Sequence, residues 1–202
     1  MSYNIFDYPN TSAPSSTGWK TGLQYYSLLF VAEAFSTKQT KSNGTAVVDL
    51  NLNNTTAAAG YAVYDANALT SPPRSLVLFN FASGTSTQKF PLRFHLVPPR
   101  NINVRIRTLT APTLTENSPT QVTYAGQTVN GNGDIEGTLS EESFRCQNEC
   151  DIQVPGPGVA LVFLQLEGKP SSRPQRYTAF KPCALLRLVG AVALGILLED
   201  II

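Results

Sequence analysis

The side chains with the most chemical potential in this 202-residue chain are its carboxylates, its three cysteines and its single histidine. Hydrolysis of a glycosidic bond needs two carboxyl groups flanking that bond, and 14 Asp and Glu residues are available. Their settings do not suggest such a pair. Glu116, Glu136, Glu141, Glu142 and Glu149 stand in polar, turn-like stretches, where a carboxylate is expected to be solvated. Glu33 alone is embedded in apolar sequence, in a segment of helical period, and a helical Glu is usually a surface or capping charge. His95 shares the polar side of an alternating segment with Arg93, and without a second histidine or a nearby nucleophile no triad can be assembled from it. The Gly-rich stretches 131–134 and 155–158 are turn formers rather than phosphate cradles. A zinc site needs about four nitrogen or sulfur ligands, and no cysteine lies near His95. No catalytic, cofactor-binding or metal-binding residue is therefore assigned.

Covalent chemistry of another kind is legible. Cys146 and Cys150 bracket Gln-Asn-Glu, a spacing that could close a small disulfide loop in an oxidising compartment, while Cys183 lies in the tail. Asn10, Asn43, Asn53 and Asn54 each open an Asn-x-Ser/Thr sequon, an N-glycosylation acceptor in a secreted chain. The charged content, 14%, is well below the roughly 25% of an average soluble protein. Thr, Asn, Ser, Gly and Pro take its place, a mixture that suits a turn-rich, secreted β protein. Yet Met1-Ser-Tyr-Asn-Ile-Phe-Asp-Tyr has neither the charged start nor the apolar run of a signal peptide. A chain with secreted composition and no export signal reads as a fragment. The net charge is +1 with Lys and Arg scattered singly, so nucleic acid is not an expected partner.

The elements that must carry these residues are mostly strands. Residues 60–65 and 74–81, separated by a turn at Ser71-Pro-Pro73, are rich in aromatic and branched residues and read as a pair at the centre of a β-sandwich. The second is apolar on both faces, which predicts burial on both sides. Alternation also marks residues 2–8, 47–52, 90–97, 104–107, 122–129 and 152–154, and 159–166 is nearly all apolar. The sum is an antiparallel Greek-key β-sandwich of about eight strands. Residues 23–35 depart from this, with Tyr26, Leu29, Phe30 and Ala34 at helical spacing. This predicts an amphipathic helix ahead of the sandwich, with an apolar face so wide that it looks taken from a bigger core. After a polar spacer, residues 184–198 form an apolar helical tail. Their 15 residues, Arg187 among them, fall short of the roughly twenty needed to span a bilayer. The layout of small residues, spacer and apolar end fits either a lipid-anchor signal, attaching the chain to a membrane, or a terminal amphipathic segment.

Taken in order, Tyr25-Tyr-Ser-Leu-Leu-Phe-Val-Ala-Glu-Ala-Phe35, Gly60-Tyr-Ala-Val-Tyr64, Leu76-Val-Leu-Phe-Asn-Phe81, Leu109-Thr-Ala-Pro112 and Val122-Thr-Tyr-Ala-Gly-Gln127 resemble the C-terminal part of fungal glycoside hydrolase family 79 proteins, the β-glucuronidase-like enzymes. The resemblance covers residues 2–166 and implies a catalytic (β/α)8 barrel followed by a non-catalytic β-sandwich packed on it. Residues 1–36 would then be the last strand and helix of the barrel, 37–167 the sandwich, and 168–202 the spacer and tail. Asp7 and Tyr8 would border the active site, since barrel sites lie at the C-terminal ends of strands. The family's two catalytic glutamates belong to barrel strands absent here, so none is carried over. The expected role is a supporting module without activity of its own, extracellular or at the cell surface, with a barrel and glucuronic-acid-containing glycans as partners. A rival role is a carbohydrate-binding module using Trp19 or exposed tyrosines as stacking platforms.

Overall fold

The computed structural model describes residues 6–7, 20–36, 44–52, 57–65, 72–84, 86–94, 101–116 and 118–167. Its elements are β1 (Phe6–Asp7), β2 (Lys20–Thr21), α1 (Gln24–Phe35), β3 (Thr45–Asp49), β4 (Ala58–Asp65), β5 (Ser75–Asn80), β6 (Thr87–Arg93), β7 (Ile102–Thr110), β8 (Thr123–Tyr124), β9 (Thr128–Val129), β10 (Ile135–Glu136), β11 (Glu142–Cys146), β12 (Glu149–Pro155) and β13 (Gly158–Leu166), with a 3-10 turn at Pro119–Gln121. Eight of these strands have five residues or more, and every pairing is antiparallel.

The main sheet runs β11-β7-β13-β5-β4-β3, with β8 attached to β7. The chain leaves it for a separate ribbon, β6 with β12, and returns each time. β13 comes back between β5 and β7, so strands distant in sequence become neighbours, as in a Greek key. The protein is mainly β, with one helix among the described residues.

Period-two alternation divides the side chains between two cores. Leu76, Leu78, Val104, Ile106, Ala160 and Val162 face the ribbon and meet Phe90, Leu92, Ile152 and Val154. Val77, Val159 and Leu161 point the other way, towards Tyr26, Phe30 and Ala34 of α1 and towards Val122, Tyr124 and Val129. The sheet is thus covered on both faces, which is why β5 is apolar without a break from Leu76 to Phe79. Asn80, fully buried at the end of β5, keeps its amide satisfied: Nδ2 donates to Val154 O (2.9 Å) and Ser86 O (3.1 Å), and Oδ1 accepts from Ala82 N. Gly156 passes so close that a Cβ there would stand 2.7 Å from Asn80 Nδ2 and 2.9 Å from Ala82 O.

The helix lies where the residue pattern puts it, and its packing partner is the sandwich sheet itself. It has no side-chain N-cap, no acid in its first turn and no base in its last. Twelve residues without caps are marginal alone, so tertiary contacts hold it. Tyr26 is the deepest of them: its hydroxyl donates to Pro119 O (2.8 Å) and accepts from Val129 N (2.7 Å). Arg74 supplies the missing cation at the C-terminus, donating Nη2 to Ala34 O (2.9 Å) while Nη1 pairs with Asp65 (3.2 Å).

One expectation is corrected here. Glu142 and Glu149 are solvated but do not stand in turns, because Glu142–Cys146 forms a strand paired along β7 and Glu149 opens β12. The side chains of Glu142–Cys146 outside the core are charged or small, so the apolar alternation that signals a strand is weak.

Candidate functional site

The densest polar constellation lies in the seam between α1 and the sheet. β7 alternates Val104 and Ile106 with Arg105 and Arg107, and the register that buries the valine and isoleucine under the ribbon turns both arginines to the helix side. Arg107, with 19% of its side chain exposed, sits between two carboxylates. Its Nη1 donates to Glu33 of α1, and its Nε donates to Glu141, just ahead of β11, at 2.8 Å. Arg105 Nη1 also donates to both oxygens of Glu141 (3.2 and 3.3 Å). The Tyr124 hydroxyl donates to the second oxygen of Glu33. Beneath the pair of guanidiniums lies the Phe163 ring, 5.0 Å from Arg105 and 5.8 Å from Arg107, within cation–π range.

Burial raises the Tyr124 phenol well above its ordinary value. The hydrogen bond to Glu33 and that carboxylate's charge raise it further, outweighing the opposing Arg107. Burial works against the Arg107 charge, but its bond to Glu141 and the charges of Glu33 and Glu141 hold its pKa above the ordinary value. All four oxygens of Glu33 and Glu141 already accept hydrogen bonds from donors of this network. A glycosidase pair needs one carboxyl free to protonate a leaving group and one free to face the sugar. This arrangement instead joins the helix to two strands.

Sequence reasoning met both carboxylates and missed their meeting. Glu33 is not a plain surface charge, and Glu141 is half-buried rather than solvated. The alternation of arginines on β7 was visible; the element covering them was not. Of the other acids, Glu149 is exposed and pairs with Arg93 (3.1 Å), Glu136 accepts from Asn130 Nδ2 (2.8 Å), Glu116 accepts from Ser118 N (2.7 Å), and Glu142 is exposed on β11.

Cys146 and Cys150 are joined in a disulfide with their Cα atoms 5.7 Å apart. Cys146 ends a strand of the main sheet and Cys150 lies in the ribbon, so the bond links the two layers where the chain crosses between them. Among the described residues no group of three or more His, Cys, Asp or Glu could hold a metal ion. Asn10, Asn43, Asn53, Asn54, Tyr8, Trp19, His95, Cys183 and the spacer and tail 168–202 lie outside the described residues. No helix among the described residues is long and apolar enough to cross a membrane.

Two apolar features reach the surface. On α1, Leu28 (48% exposed), Val31 (47%) and Phe35 (41%) form a stripe turned away from the sheet. On β4 and β5, Tyr61 meets Phe79 edge-on with ring centres 6.1 Å apart, and Phe79 stacks on Phe81 at 5.5 Å; Tyr61 and Phe81 are exposed.

A two-layer antiparallel arrangement with a helix on the free face of its main sheet defines a β-sandwich domain, and comparison with known proteins gives it a family. Residues 60–161, 102 of the 202, match the glycosyl hydrolase family 79 C-terminal beta domain, and the chain belongs to that family. Among solved structures it is similar to a 4-O-α-L-rhamnosyl-β-D-glucuronidase from Fusarium oxysporum 12S, determined as its Rha-GlcA complex. The TM-score is 0.54 and the identity 25%, over 71% of this chain. The match takes in 30% of the Fusarium protein, so this chain corresponds to under a third of that enzyme's length. No curated protein matches the chain.

Proposed function

We infer that this chain is the non-catalytic supporting module of a β-glucuronidase-like glycoside hydrolase, packing against a catalytic (β/α)8 barrel and stabilising it. The observation that carries this is the Leu28, Val31 and Phe35 stripe. A 12-residue helix that buries Tyr26, Phe30 and Ala34 on one side and offers three large apolar side chains on the other is shaped to lie between two bodies. On this reading, residues 1–36 are the end of the barrel, α1 is its last helix, and the sandwich occupies 37–167. Family membership supports the reading, and so does the much greater length of the Fusarium enzyme. The seam between α1 and the sheet then serves as the joint between domains, with Arg107 as its pin. The disulfide and the four sequons support passage through an oxidising, glycosylating compartment and an extracellular or cell-surface destination.

Sequencing the transcript upstream of Met1 tests this. An in-frame extension encoding alternating strands and helices is expected. A stop codon directly followed by the start of this chain would count against a covalently joined barrel.

The exposed Tyr61–Phe79–Phe81 cluster favours a second reading, a glycan-binding module in which sugar rings stack on aromatic faces. Retention of the purified chain on immobilised glucuronic-acid-containing glycan, abolished by Tyr61→Ala or Phe81→Ala, would establish it. Passage through the column unretarded would remove it.

A further inference from the structure

We propose that β3 is a self-pairing edge, through which two copies of this chain join their main sheets about a two-fold axis at Val47. The proposal stands apart from the function given above.

β3 is the last strand of the sheet and pairs only with β4 among the described residues. The phase of that pairing is fixed at its end, where Leu50 N donates to Gly60 O (2.9 Å). Hydrogen-bonded and non-bonded positions alternate along an antiparallel pair. Residues 46, 48 and 50 therefore turn their backbone groups to β4, and Thr45, Val47 and Asp49 turn theirs outward. Among the described residues nothing bonds to that outer side.

Natural edges are usually blunted by proline, lysine, a bulge or an inward charge. Residues 45–49, Thr-Ala-Val-Val-Asp, carry no proline, lysine or bulge, and their one charge, Asp49, stands exposed at the end of the strand. Val47 stands on the helix side of the sheet opposite Val63, and Val48 on the ribbon side opposite Ala62. Both are about half exposed, 49% and 46%, because neither covering layer reaches the edge.

The five residues are also self-complementary. With Val47 on the axis, the outward residues Thr45, Val47 and Asp49 of one copy meet Asp49, Val47 and Thr45 of the other, each pair exchanging both backbone bonds. On the helix side, valine meets valine and each threonine hydroxyl faces an aspartate. On the ribbon side, Ala46 meets Val48. No like charges oppose one another, and the contact closes as an isologous dimer rather than a filament.

Sedimentation equilibrium across micromolar to high-micromolar concentration tests this on the whole chain. Val47→Pro removes an outward N–H, leaving the bonds of 46, 48 and 50 to β4 intact, and edge positions of that kind tolerate proline. Val47→Lys places two ammonium groups together on the axis. The wild type is expected to show a reversible monomer–dimer equilibrium, with each variant at least about tenfold weaker in association and unchanged in its circular dichroism. Should Val47→Pro fail to fold, Val47→Lys decides. A wild type that stays monomeric throughout overturns the proposal. So does a dimer that survives Val47→Lys, or one abolished instead by Val31→Glu on the helix stripe.

Discussion

Arg107 holds carboxylates from two different elements at once, and each would be left half-buried beside a lost partner if it were removed. Arg107→Met is therefore expected to cost about 1–3 kcal/mol in urea unfolding, below the range for a deeply buried pair because the site is partly solvated. Glu33→Gln should cost less, since the amide oxygen still accepts from Arg107 and the amide NH2 can donate to the Tyr124 hydroxyl, which turns to accept it. The double variant should fall short of additivity by about 1 kcal/mol, as expected for residues in one network. Tyr124 carries a pH signature. Its folded pKa is raised above the ordinary phenol value of 10.0, chiefly by burial. The stability it contributes is therefore full below pH 10 and is lost above it, where the unfolded state releases the phenolic proton and the folded state keeps it. Tyr26 and Tyr64 are raised in the same direction, again by burial. Stability should drop steeply above pH 10, and Tyr124→Phe should make that decline shallower in denaturation curves taken from pH 8 to about pH 11.

Each element here is fixed by contacts with elements far off in sequence. Tyr26 on α1 satisfies Val129 N, and Tyr26→Phe strands that buried amide along with Pro119 O. The expected loss is about 1–3 kcal/mol, read as a lower urea midpoint. The Cys146–Cys150 bond spans only four residues of separation, so the chain-entropy relation gives about 2 kcal/mol for its removal. Reduction, or replacement of both cysteines by serine, should lower the unfolding midpoint accordingly. The legibility of these elements follows from the same physics. Residues 76–79 are readable as part of a doubly covered strand, because burial on both faces leaves an unbroken apolar run. The helix was readable from Tyr26, Phe30 and Ala34 at fourfold spacing. β11 was not, because only Phe144 and Cys146 of its five residues face apolar surroundings. The Glu33–Arg107–Glu141 network was not legible either. Its members are 74 and 34 residues apart, and only the return of β7 under α1 brings them together.

At the scale of the molecule, the main sheet is covered on one face by a ribbon and on the other by α1 together with Val122, Tyr124 and Val129, and the outer side of α1 is itself apolar. The chain belongs to the glycosyl hydrolase family 79 C-terminal beta domain family, and the supporting role proposed for it draws on the small fraction of the Fusarium enzyme that it matches and on the saturated bonding of Glu33 and Glu141. On the proposed reading the domain cleaves nothing by itself. Release of a chromogenic aglycone from an aryl β-glucuronide by the purified chain tests it directly, at high enzyme concentration and over a wide pH range. The account predicts release indistinguishable from a buffer blank. Reproducible release that disappears in Glu33→Gln or Glu141→Gln would contradict it.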